Sequence, residues 1–226
     1  MKTKWINFAV ELELDEISDY LSKSSFSTEK NFGFDVLSLD ANRMEASYIE
    51  KIYILDRFTL PDGSEIESEQ IKLINFDFVL LKSSSNKFLL KVSTPPRSLK
   101  SFFEKLELCL NAPIFISSVI VNINKLISYL KDSNTVNNLI ISNLSVSNVK
   151  VDSDNVAEIQ LKSQKNILES LKNKFPNQDF KFKGMKVSFF HGYENVTVKV
   201  SSMGSFDISG NAQELISNFL LQQSEL

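Results

Sequence analysis

The only histidine of the 226-residue chain, His191, lies in the segment SFFHGYENV. Histidine is the usual proton shuttle at neutral pH, and a Ser-His-Asp triad would combine it with a distant serine and aspartate. The sequence has no G-x-S-x-G nucleophile motif. The phenylalanines Phe189 and Phe190 before it and a glycine after it are typical of a turn between two strands. We therefore predict no catalytic role, but an exposed tip at which His191 and Tyr193 contact a partner.

The single cysteine, Cys109, excludes an intramolecular disulfide and a cysteine-rich zinc site. It lies in the apolar run Leu106–Leu110, which predicts a buried structural thiol rather than a reactive one. The sequence also lacks the phosphate-binding motifs GxxxxGK[ST] and GxGxxG, so an NTPase or a Rossmann dehydrogenase is not expected. No catalytic residue, cofactor or metal ion is predicted.

The acidic segment PDGSEIESEQIK (61–72) resembles nucleases in which Pro-Asp precedes an acid-x-Lys triplet that holds Mg²⁺. Here two residues separate Glu69 from Lys72, and on a strand this spacing puts the two side chains on opposite faces. Pro-Asp-Gly is also a common turn sequence. A turn is the preferred interpretation, and a metal-dependent hydrolase or nuclease stays open as the second alternative function.

Two other acidic groups contain residue types that could bind a cation. Glu11, Glu13 and Asp15 would share one face of a strand, where we expect them to be solvated. A segment that begins at Asp152 resembles a calcium-binding loop, but its sixth and twelfth positions are alanine and serine instead of glycine and glutamate. We predict a turn at Asp152.

The basic segment FKFKGMK places Lys181 and Lys183 on one face of a predicted strand. With Lys186 and Lys199 they are candidate nucleic-acid contacts, provided that the four residues cluster in space. The same lysines are equally typical of the solvated half of an antiparallel sheet. The net charge of −3 argues against broad electrostatic attraction to nucleic acid or to an anionic membrane. A nucleic-acid-binding module that uses residues 180–199 is therefore the first alternative function.

Hydrophobic periodicity predicts the elements that position these residues. Strands are predicted at 5–14, 32–40, 46–60, 66–82, 87–94, 139–153, 155–163, 180–190, 195–202 and 205–209, and helices at 15–24, 98–110, 123–131, 164–175 and 212–223. This pattern indicates an α+β fold of antiparallel sheets with a few amphipathic helices. We expect two similar-sized halves, 1–111 and 138–226, joined by a segment with a helix at 112–137. Residues 76–108 and 187–221 show a weak internal repeat, which duplication would explain, but chance would also produce it because alternating β-branched strands resemble one another.

Residues 196–220, VTVKVSSMGSFDISGNAQELISNFL, are similar to one lobe of the saddle-shaped repeats of TATA-box-binding-type proteins. The resemblance implies a strand, a turn, a short strand and an amphipathic helix. The apolar pattern with which such proteins intercalate between DNA bases is absent, so the resemblance concerns the fold alone.

The composition, 42% hydrophobic and 23% charged, is that of an ordinary globular protein. The longest apolar stretch, Ala112–Val121, is shorter than the roughly 20 residues of a membrane-spanning helix, and no signal-peptide pattern is present. We therefore expect a cytoplasmic protein with no membrane partner. Few residues suit catalysis, whereas strand edges are many. The favoured function is thus a non-catalytic binding or scaffold subunit of a larger assembly, such as an accessory protein of a multi-gene microbial system, with a protein partner or self-association as a homo-oligomer.

Overall fold

The computed structural model describes residues 1–152, 154–175 and 180–224. Among these residues, five helices and a majority of antiparallel strands form the predicted α+β fold. The chain divides into two compact units, an N-terminal unit of Phe8–Ile116 and a C-terminal unit of Met1–Asn7 with Ser117–Leu226. The two halves predicted from the sequence and their internal repeat stay predictions.

The N-terminal unit is built on four antiparallel strands and two helices. The strands are β2 (Phe32–Asp40), β3 (Arg43–Thr59), β4 (Glu65–Ser84) and β5 (Lys87–Ser93), paired in the order β2-β3-β4-β5, and the helices are α1 (Leu14–Ser22) and α2 (Lys100–Leu110). Phe102 of α2 lies at the centre of the core, with its ring 5.2 Å from the rings of Tyr48, Phe76 and Phe78. This aromatic cluster fixes α2 on one face of the sheet.

The C-terminal unit has a larger antiparallel sheet. Its elements are α3 (Ile123–Asp132), β7 (Val136–Lys150), β8 (Val156–Lys162), α4 (Ile167–Lys174), β9 (Lys181–His191), β10 (Glu194–Ser201), β11 (Ser205–Ser209) and α5 (Gln213–Ser224), while β1 (Lys2–Ala9) and β6 (Phe115–Ser118) run across the unit boundary in the sequence. Within the unit the strand order is β1-β11-β10-β9-β7-β8. The strand, turn, short strand and helix implied for residues 196–220 are present as β10, β11 and α5.

One face of this sheet is the core face. Its register aligns the buried residues Leu144, Met185, Val200 and Phe206 in a row across β7, β9, β10 and β11. α3 contacts β7 and β9, and its Tyr129 ring lies 5.3 Å from a phenylalanine ring of α5. Because side chains alternate along a strand, the neighbouring rows point to the opposite face. No helix among the described residues is long and apolar enough to cross a membrane.

The first strand is shorter than predicted, because it ends before the acidic residues Glu11, Glu13 and Asp15. The backbone N–H of Glu13 donates to the carboxylate of Glu16 at 2.8 Å, as in a helix-capping arrangement, and α1 begins directly afterwards. The prediction that the three acids share one strand face is therefore wrong. Glu13 instead forms an ion pair with Lys82 at 2.6 Å.

Candidate interaction surfaces

Two strands of the N-terminal unit extend beyond their neighbours as a hairpin. β2 pairs with β3 only as far as Glu50, and β5 pairs with β4 only from Phe78 onward. β3 and β4 stay paired with each other up to Thr59 and Glu65, where a turn joins them. We call residues 51–73 the arm.

The arm exposes an unusual amount of apolar surface. Its exposed large apolar side chains are Tyr53, Ile54, Leu55, Phe58, Leu60, Ile66, Ile71 and Leu73, with exposures from 36% for Ile54 to 61% for Leu73. The register places Tyr53 opposite Ile71 on one face and Phe58 opposite Ile66 on the other. Both faces of the arm therefore carry exposed apolar side chains. A two-stranded hairpin is marginally stable by itself, and a contiguous exposed apolar patch of this kind is typical of an interaction site.

Charges on the arm are separated by strand. Glu65, Glu67 and Glu69 of β4 lie on the face that carries Tyr53. On β3, the Arg57 Nε lies 2.8 Å from a carboxylate oxygen of Glu67, and the Nζ atom of a neighbouring lysine lies 4.6 Å from the centroid of the Tyr53 ring. The β4 side of this face is thus anionic, and the β3 side is apolar and cationic.

The turn of the arm contains the Pro-Asp-Gly sequence and forms as predicted. The Oδ1 atom of Asp62 accepts hydrogen bonds from the Oγ and the backbone N–H of Ser64, at 2.6 and 2.9 Å. These bonds hold the pKa of the Asp62 carboxyl below its ordinary value. Glu69 and Lys72 lie opposite Leu55 and Ile52 on β3, and therefore on opposite faces of the hairpin.

A buried polar cluster lies at the base of the arm. Glu50 is 9% exposed, and one of its carboxylate oxygens accepts a hydrogen bond from the Ser101 hydroxyl of α2 at 2.6 Å. Burial first, and then the negative charge of Glu50, raises the pKa of Tyr48 above its ordinary value. Among the described residues, the other Glu50 oxygen and the Tyr48 hydroxyl have no hydrogen-bond partner. Cys109 on the same helix, predicted to be buried, is half-buried.

The four candidate lysines of the C-terminal unit are only partly brought together. Lys186 and Lys199 are cross-strand partners on β9 and β10. Lys181, the first residue of β9, pairs with Ser147 of β7. A register shift leaves Lys183 without a partner on β7. The structure therefore forms a lysine pair, while the other two lysines lie toward the start of the strand.

The lysine pair belongs to a polar row on the face opposite the core. The row consists of Lys162, Asn143, Lys186, Lys199, Asp207 and Lys2, which lie side by side on β8, β7, β9, β10, β11 and β1. Beside the pair is a shallow depression of about 180 Å³, whose lining includes Asn143, Ser145 and Gly184. The Nζ atom of Lys199 lies 3.6 Å from a carboxylate oxygen of Asp207, whereas Lys186 forms no ion pair within the described part of the chain. Like charges opposite each other destabilise a sheet, so this pair would be stabilised by an anion.

The histidine segment forms a hairpin, as predicted. His191 and Glu194 pair at the ends of β9 and β10, and the Nδ1 atom of His191 lies 2.8 Å from the backbone carbonyl oxygen of Asn211. Tyr193 at the tip is fully exposed, and Phe189 is buried in the core. The structure gives His191 a structural contact and leaves Tyr193 free to contact a partner.

The predicted turn at Asp152 is present. Its carboxylate accepts hydrogen bonds from the side chain and the backbone N–H of Asn155, and these bonds lower the pKa of Asp152. Ser153 lies outside the described residues. Within the described ranges, no group of three or more His, Cys, Asp or Glu residues could hold a metal ion.

The two units differ in net charge. The N-terminal unit has 12 Lys and Arg against 18 Asp and Glu, a net charge of −6, whereas the C-terminal unit has 13 against 10, a net charge of +3. The overall charge of −3 hides this difference. Basic charge is therefore concentrated in the unit that carries the lysine pair.

The comparisons with known proteins add no family to this geometry. No protein-family model matches the sequence, and no curated protein shows significant similarity to it.

Proposed function

We propose that the protein is a non-catalytic, cytoplasmic binding subunit of a larger assembly, and that the arm is its docking element. The observation that supports this function is the exposure of large apolar side chains on both faces of the arm. Exposing this apolar surface to water is unfavourable in free energy, and a partner that covers it removes the apolar area from water and gains that free energy.

The chemistry of the arm indicates a protein partner. Glu65, Glu67 and Glu69 would repel a phosphate backbone. Tyr53 and Phe58 are aromatic side chains of the type enriched at the centres of protein interfaces. The free backbone edges also favour the addition of a strand by the partner.

A photo-reactive benzoylphenylalanine in place of Phe58 tests this function. The matched control carries the same group in place of Phe115, which is also an exposed aromatic residue of a strand but lies outside the arm. In cells of the native host we expect the Phe58 position to form one or a few protein adducts of defined mass, with the second copy of the chain as one possible adduct. The adducts should be lost when Tyr53→Ser and Leu55→Ser are added. No adduct at Phe58, or equal labelling at both positions, would contradict the proposal.

Nucleic-acid binding by the C-terminal unit is the second candidate function. It is favoured by the lysine pair Lys186 and Lys199, which lies beside a polar depression in a unit of positive net charge. A basic, polar sheet face is a common surface for single-stranded nucleic acid. The two functions use different units and are therefore independent.

A further inference from the structure

Both outer edges of the arm lack a neighbouring strand in the described part of the chain. On β3, pairing with β2 ends at Glu50, and the backbone N–H of Lys51 donates to the carbonyl of Asn31 at 2.7 Å. Residues 52–59 therefore present a free edge on the side away from β4. An open edge is a template for pairing with another strand.

The sequence of the β3 edge is complementary to itself. When IYILDRF (52–58) pairs with a second copy of itself in antiparallel orientation, centred on Leu55, the opposed pairs are Ile52 with Phe58, Tyr53 with Arg57, and Ile54 with Asp56. No like charges meet. Tyr53 faces a guanidinium, which favours a cation–π contact, and Ile52 faces an aromatic ring.

Like charges disfavour three other pairings of the arm. Centring β3 on Ile54 puts Lys51 opposite Arg57, and centring it on Asp56 puts that residue opposite its own copy. The matching self-pairing of β4, centred on Glu69, would bring two glutamates together. Like charges directly opposite each other destabilise a strand pair. Charge therefore disfavours these three pairings and is compatible with the β3 pairing centred on Leu55.

We propose that the partner of the arm is a second copy of this chain, joined edge to edge through residues 52–58 of β3 around a two-fold axis at Leu55. The proposal rests on the function proposed for the arm and specifies its occupant. The pairing gives a four-stranded ribbon. On one face, Ile71 and Tyr53 of one copy lie in a row with Arg57 and Glu67 of the second copy. The Arg57–Glu67 ion pair is therefore retained within each copy. It also extends a hairpin that is marginal with two strands.

Single cysteines test the geometry. In a Cys109→Ala background, Leu55→Cys puts a thiol directly opposite its own copy, at a Cα separation of about 4.5–5.5 Å that suits a disulfide. We expect this variant to form a covalent dimer under mild oxidation. The control Leu73→Cys lies on the same face and is equally exposed, but it belongs to β4 and would stay monomeric. Equal rates of disulfide formation at both positions would overturn the proposal.

Sedimentation of the purified full chain tests the energetics. We expect a reversible monomer–dimer equilibrium, with Tyr53→Lys raising the dimer Kd by at least about tenfold because the new ammonium group then opposes Arg57 of the second copy, whereas its opposite residue within the chain, Ile71, is uncharged. Leu73→Glu should leave Kd within about twofold. Far-UV circular dichroism verifies that both variants stay folded. A chain that stays monomeric at all concentrations up to aggregation would overturn the proposal.

The failure of this proposal and the failure of the proposed function have different signatures. A monomeric chain whose Phe58 position still forms an adduct with another protein overturns the homodimer and leaves the docking function of the arm intact. A monomeric chain with no adduct at Phe58 overturns both.

Discussion

At the scale of single residues, the most unusual site is the polar cluster at the base of the arm. Tyr48 is 1% exposed, and its hydroxyl lies near the side chains of Glu50 and Ser101 but makes no hydrogen bond of good geometry among the described residues. Leaving such groups unsatisfied costs stability. Hydrophobic alternation does not predict this cluster, because Glu50 occupies a position at which an apolar residue is expected. Its burial depends on α2, which delivers Ser101 to it.

Tyr48→Phe should change the dependence of stability on pH. Because burial and then Glu50 raise the pKa of Tyr48 above its ordinary value of 10.0, the folded chain keeps the proton at pH values at which the unfolded chain loses it. This contribution to stability is fully present below pH 10 and is lost as the pH rises further, by up to about 1.4 kcal/mol per pH unit. Urea unfolding between pH 8 and 11 should show that Tyr48→Phe loses less stability than the wild type. Burial raises the pKa of Tyr129 in the same direction, so the variant keeps part of the loss. A difference between the two proteins that does not change with pH would contradict the assignment.

At the scale of elements, the sequence predicts the hairpins and helices well and the arm poorly. The Pro-Asp-Gly turn and the alternation on both sides of it identify β3 and β4. The helical spacing of aromatic and aliphatic residues identifies α2. The sequence does not predict which of these strand residues are exposed. Tyr53, Leu55 and Ile54 have the residue types of core strands, and only the missing neighbours of β3 and β4 leave them exposed. The one available signal was strand length, since 17 and 20 residues far exceed the usual five or six.

Gly204, in the turn between β10 and β11, should tolerate no side chain. Its φ is +71°, and an added Cβ would lie 2.8 Å from the carbonyl oxygen of Trp5. Gly192 is the matched control, because its φ is also positive, at +61°, and nothing lies near the position of its Cβ. Urea unfolding should show a loss of about 1 kcal/mol for Gly192→Ala, and a clearly larger loss for Gly204→Ala. Equal losses for the two variants would show that the close approach to Trp5 relaxes without cost.

At the scale of the whole molecule, net charge is a poor guide to its surfaces. The composition argued against attraction to nucleic acid, yet the C-terminal unit has a net charge of +3. The pairing of Lys186 with Lys199 depends on the register of β9 and β10, and the isolation of Lys183 depends on a register shift. Neither the pairing nor the isolation can be deduced from the alternation of residues along the sequence. Alternation predicts which face of its strand a residue occupies, but it does not predict the register between two strands.

The second candidate function predicts salt-dependent binding of single-stranded oligonucleotides. Lys186→Gln with Lys199→Gln should weaken binding and lower the slope of log K against log salt by about 1.4, the value for two phosphate contacts on a single strand. The control, Lys23→Gln with Lys30→Gln, removes the same charge from exposed positions in the acidic N-terminal unit and should leave the slope unchanged. Fluorescence anisotropy gives both the binding constant and the salt slope. Salt concentrations of roughly 25 to 200 mM suit the measurement, because such contacts are measurable in that range. Equal effects of the two double variants would indicate non-specific electrostatics.

The free edge of β3 also affects how long the chain survives in the presence of proteases. Proteases bind their substrates in extended form, which is the conformation that this edge already presents, and Arg57 is exposed and of the residue type after which trypsin-like enzymes cleave. A second copy seated on the edge would cover the peptide bond that follows Arg57. Degradation would then act on the dissociated chain, whose share falls as the total concentration rises. The same backbone groups that join two copies would thus make the lifetime of the protein depend on its abundance.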